Sequence, residues 1–116
     1  MALPLDEAEA QFWGLAAAHL EADDVLDGTM MGSRCLRVDG EFTAMIHSKT
    51  GELIVKLAAD QVTDLVEAGS VLPFAPNGRV FKEWALVPTT DEASWTPLIA
   101  QAVDFARGSS GSSTPS

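Results

Sequence analysis

Asp39-Gly40 stands between two segments, RCLRV and EFTAMI, that read as pleated strands. Asp and Gly both tolerate the positive φ angles of a two-residue hairpin turn, so this dipeptide predicts antiparallel pairing across it. A second turn signal over 49–51 precedes another apolar run, LIVKL. Three antiparallel strands are predicted, over 30–38, 42–47 and 53–57. Pairing Val38 with Glu41 across the turn places Cys35 opposite Ala44.

Helical spacing flanks this meander. Ala8, Phe12, Leu15, Ala16 and His19 recur on one stripe, with Asp6 as the predicted N-cap and Glu7 and Glu9 near the positive end. Asp60 is the predicted cap of a second helix, which buries Val62, Leu65 and Val66 and ends on Gly69 in the left-handed conformation. Asn77-Gly78 then turns the chain into a strand over 79–87. The spacing favours a third helix from Ser94 to about Ala106, with Pro97 in its first turn and Trp95, Leu98, Ile99, Ala102 and Ala106 inward. The order is a helix, three strands, a helix, one or two strands and a helix, an α+β two-layer sandwich of an antiparallel sheet and helices. One domain spans 1–107, and the polar Gly/Ser-rich stretch 108–116 reads as a flexible tail.

Seven basic residues face seventeen acidic ones, a net charge of −10. Duplex DNA is bound through Lys and Arg on phosphates, so this balance argues against nucleic acid as the partner unless the cations gather on one face. The single cysteine cannot form an internal disulfide, which suits a fold independent of an oxidising compartment. No apolar run is long enough to span a bilayer and the start of the chain lacks a basic, apolar leader pattern. A cytoplasmic location with no membrane contact is the expectation.

Residues 69–84, GSVLPFAPNGRVFKEW, join a helix stop, a proline-punctuated extended piece, a turn and a strand. Together with MMG at 30–32, VDGEFTAMI at 38–46 and LIVKL at 53–57, this stretch resembles the N-terminal domain family of the TfoX/Sxy competence regulators. Met31 stands where that family more often has Phe. The resemblance covers roughly 12–106 and implies a stand-alone domain in the order α-β-β-β-α-β-β-α, a layout similar to secretion chaperones. It implies a non-catalytic binding or regulatory module acting through protein–protein contacts, with a homodimer that holds a partner peptide as a variant. A direct nucleic-acid-binding regulator is the alternative, and a small-molecule-binding protein or an enzyme of unrecognised type is the second.

Arg37, Lys56 and Lys82, with Trp84 beside them, are expected to share the open face of the sheet. A cation next to an aromatic suits an acidic peptide or a phosphate, and equally a structural cation–π pair. Arg79, directly after the turn, either clamps a carboxylate or pins the Pro73–Pro76 bend through backbone carbonyls. Trp84 is either an interface anchor or core. No catalytic apparatus is expected. Two distant histidines and one cysteine lack zinc-site spacing, His19 is expected to be a packed core residue, and no cofactor or metal motif is present.

Overall fold

The computed structural model describes residues 4–30, 33–47, 49–75 and 78–109. Helix α1 (Leu5–Ala16) leads through a single 3-10 turn to four strands, β1 (Val25–Met30), β2 (Ser33–Val38), β3 (Glu41–Ile46) and β4 (Leu53–Lys56). Helix α2 (Ala59–Glu67), strands β5 (Leu72–Phe74) and β6 (Phe81–Val87), and helix α3 (Glu92–Ser109) follow. The strands form one antiparallel sheet in the order β1-β2-β3-β4-β6-β5. The α+β class is as expected, with one strand more before α2. The first strand expected from the sequence, over 30–38, matches β2 and misses β1 except for its last residue; Met31 and Gly32 lie outside the described residues.

Strand alternation sorts the sheet into two faces. Leu36, Val38, Ala44, Ile46, Leu53, Val55, Ala85 and Val87 point to the helices. There they join Ala8, Phe12 and Ala16 of α1, Val62 of α2, and Trp95, Ile99, Ala102, Val103 and Ala106 of α3 in one core. Trp95 and Phe12 are its largest fully buried side chains. Trp95 also donates its indole N–H to the Thr89 carbonyl at 2.7 Å, so its polar atom is satisfied at the base of α3. Helices α1 and α3 lie over the middle strands, and α2 over the β5–β6 ribbon.

The turns follow the sequence closely and the helix N-caps do not. Asp39 and Gly40 have φ of 51° and 82°, the left-handed pair that the hairpin requires. The Val38–Glu41 pair forms, but a bulge between Leu36 and Arg37 pairs Cys35 with Met45 instead of Ala44. At the N-termini, Pro4 and Ala58 occupy the capping positions without side-chain caps, and Asp6 and Asp60 sit in the first turns. There they favour the helix dipole without accepting a capping bond. Helix α3 begins before Ser94. Asp91 takes the capping role: its carboxylate accepts from the Ala93 N–H at 3.4 Å and its carbonyl from the Trp95 N–H at 3.1 Å. Pro97 therefore lies in the second turn, not the first. His19 is only partly buried, in the 3-10 turn beyond α1. Helix α3 continues through Gly108 and Ser109; the tail from Ser110 onward and the Asn77 half of the predicted turn lie outside the described residues.

Candidate binding groove

The face of the sheet opposite the helices carries a second apolar cluster: Cys35, Phe42, Met45, Ile54 and Phe74, flanked by Phe81, Trp84 and Leu86. No helix is needed to cover it, because aromatic rings do so. Trp84 stacks on Phe42 at 4.4 Å and on Phe74 at 5.3 Å between centroids, with interplanar angles of 30° and 27°. Phe81 leans against Trp84 at 4.9 Å. Trp84 is thus the middle of a stack and only partly exposed, which places it as core of this smaller cluster with one edge on the surface.

Arg37, Lys56 and Lys82 do alternate onto this face, since Cys35, Ile54 and Trp84 two residues away belong to its cluster. They do not form a cationic patch. Arg37 donates to the Gly40 carbonyl at 2.7 Å and the Thr29 carbonyl at 2.8 Å. Lys56 lies 3.6 Å from a Glu41 carboxylate oxygen and 4.0 Å from one of Glu83. Lys82 is exposed and makes no hydrogen bond or ion pair with the described residues. Arg79 is also exposed and donates to no described carbonyl of the Pro73 bend; Pro76 lies outside the described residues.

Lys82 instead borders a groove between α2 and β6. Val62, Val66, Pro73, Val80 and Phe81 form an apolar lining to which Glu67 adds a carboxylate, and the volume is about 490 Å³. A shallower extension of about 480 Å³ shares Ala59, Val80, Phe81 and Lys82 and runs on to Lys56 and Trp84. The lining follows from topology. The short strand β5 pairs with β6 through a wide irregularity, Pro73 opposite Ala85 but Phe74 opposite Phe81. That irregularity leaves residues 82–84 of β6 without a partner in β5. Val80 is left 56% exposed, which is unusual for a β-branched residue beside a strand. The sequence reading missed Val80, Phe81, Val62 and Val66 as groove residues. The available signal was Val80-Phe81, two consecutive apolar residues just before the strand's alternation begins.

The remaining reactive groups are dispersed. Cys35 is fully buried, and burial pushes its thiol above the ordinary value, against the lowering effect of nearby Arg37. It is held as the neutral thiol, which is a poor nucleophile. His47 accepts the Lys49 N–H through Nδ1 at 3.1 Å and packs edge-on to Phe74. Its strand position is two residues beyond Met45, the partner of Cys35. No group of three or more His, Cys, Asp or Glu side chains among the described residues is arranged to hold a metal ion. No described helix is long and apolar enough to cross a membrane. Comparison with family models, curated proteins and solved structures gives no match.

Proposed function

We propose that this chain is a non-catalytic binding module that grips a segment of a partner protein in the α2–β6 groove, placing an apolar side chain on Val80 and Phe81 and a carboxylate beside Lys82. The observation that carries this reading is the exposed Val80 beside the one open-face cation that has no partner among the described residues. An apolar pocket with a charge at its mouth selects by burial first and by charge second. The resemblance of 69–84 to the competence-regulator domain family supports a regulatory role, because Pro73, Val80, Phe81 and Lys82 of the groove come from that stretch. The distribution of the cations weighs against nucleic acid. Arg34 lies over Trp13 and pairs with Asp27, Lys56 with Glu41, and Arg107 with Asp24, so no cationic stripe follows one helix or edge among the described residues.

Selection of a random peptide library displayed on phage against the immobilised protein tests the reading. Enriched peptides should share an apolar residue next to Asp or Glu. Their binding should fall at least tenfold with Val80→Asp, and less with Lys82→Glu, at unchanged circular dichroism. Enrichment that ignores both substitutions, or no enrichment over bare support, overturns it. Tight, steeply salt-dependent binding of random duplex DNA would favour the nucleic-acid reading instead.

A further inference from the structure

Strand β1 forms one edge of the sheet. The Asp39 N–H donates to the Asp24 carbonyl at 2.9 Å, and Val25 faces Val38. Antiparallel ladders alternate bonded and non-bonded pairs, so Leu26, Gly28 and Met30 bond inward to β2. Asp27 and Thr29 therefore turn their backbone N–H and C=O groups to the open edge, while the Val25 N–H is taken by the Ala22 carbonyl at 3.2 Å. Such an edge is a template for another strand. The opposite edge, β5, is three residues long and contains Pro73. Strand β1 is six residues with no Pro and no Lys, its Leu26 is 61% exposed, and its one charge, Asp27, is tied to Arg34 at 3.1 Å.

One side chain crosses this edge. Arg37 passes over Gly28 so closely that a Cβ there would lie 2.8 Å from both Cδ and Nε of the arginine. Its Nη2 then reaches the Thr29 carbonyl at 2.8 Å, and Nη1 holds the Gly40 carbonyl at 2.7 Å. Thr29 is one of the outward-facing residues. The guanidinium thus occupies an edge acceptor and sets a cation where an added strand would run.

We infer that Arg37 is an edge latch, and that the strand it excludes is β1 of a second copy of this chain. The second copy fits because the strand is self-complementary about Gly28. An antiparallel pair centred there sets Asp27 opposite Thr29 and Leu26 opposite Met30, with no like charges facing. It preserves which side of the sheet carries helices, as a two-fold axis through the sheet requires. In that register the outward residues 27 and 29 are the ones that exchange hydrogen bonds. Both symmetry-related Thr29 carbonyls would be needed, and both are held by Arg37.

The test is light scattering after size exclusion across a concentration series, with hydrogen exchange at β1, for wild type, Arg37→Ala and Gly28→Ala. Gly28→Ala keeps the arginine but displaces it through the added Cβ, so it opens the edge without changing charge. Both variants should show twice the wild-type mass, one further chain of 12.3 kDa for each chain, with slowed exchange at the Asp27 and Thr29 amides. Adding Leu26→Lys to either should reverse the association. The inference is overturned if either variant, folded by circular dichroism, keeps the wild-type mass and wild-type β1 exchange. It is also overturned if wild-type β1 amides are already protected by self-association. Should Arg37→Ala fail to fold, the Gly28→Ala result decides alone.

Discussion

Gly69 has φ of +79° and open space where a Cβ would stand, so any cost of replacing it is conformational and not steric crowding. It completes a Schellman ending of α2: the Gly69 N–H donates to the Val66 carbonyl and the Ser70 N–H to the Leu65 carbonyl, at 3.0 and 2.9 Å. Gly69→Val should lower stability by about 1–2 kcal/mol, since a left-handed β-branched residue is strained. A urea midpoint equal to wild type would contradict this. Trp84 shows the other kind of residue effect. Its ring is held between Phe42 and Phe74, so Trp84→Ala opens a gap in the smaller cluster and should cost about 2–4 kcal/mol, near the low end for buried aromatics because one edge is already exposed. Trp84→Phe should recover more than half of that loss by chemical denaturation; no recovery would mean that stacking is not what holds the cluster.

At the scale of elements, what the sequence revealed divides by physical cause. The hairpin at Asp39-Gly40 was legible because the required φ signs admit few residue types. The three helices were legible because Phe12, Val62, Trp95 and Ile99 recur at helical spacing toward one core. Strand β1 was not legible. VLDGTM carries an aspartate and a glycine whose reasons are tertiary: Asp27 answers Arg34, and Gly28 makes room for Arg37. The Leu36/Arg37 bulge was invisible for a related reason, since turn chemistry fixes register only beside the turn. The groove was legible in part, its cation Lys82 but not its apolar lining, because the approach of α2 to the start of β6 is tertiary and has no local code. Helix starts were misplaced for α1 and α2 because Pro4 and Ala58 at the capping positions carry no capping side chain to mark the boundary, and for α3 because more than one residue has capping chemistry. For α3 the choice is Asp91, not Ser94. Asp91→Ala should therefore cost about 1 kcal/mol, while Ser94→Ala should change stability by less than about 0.5 kcal/mol. Comparable losses in thermal denaturation would return the cap to Ser94.

Across the whole molecule, one ion pair ties the end of α3 to the loop that enters β1. Arg107 donates from Nε to the Asp24 carboxylate at 2.8 Å and from Nη2 to its other oxygen at 3.0 Å, across 83 residues of chain. The hydrogen bond from Arg107 holds the Asp24 carboxyl below its ordinary value, aided by the arginine's charge and opposed by burial. The same hydrogen bond from the other side raises Arg107. A carboxyl lowered by folding contributes stability that is complete above its unfolded value, near about 3.9, and is lost as pH falls through the folded value. The pair is partly exposed, so salt should weaken it. Total stability is the wrong readout, because protonating the other acids of a chain at −10 relieves their mutual repulsion and works in the opposite direction. A double-mutant cycle of Asp24→Asn and Arg107→Gln cancels that background. The coupling should be favourable near about pH 7, begin to fall near about pH 4 and continue falling as the solution becomes more acidic. A coupling that is absent at neutral pH, or unchanged on acidification, would show that the two ends of the chain are held together by packing of α3 alone.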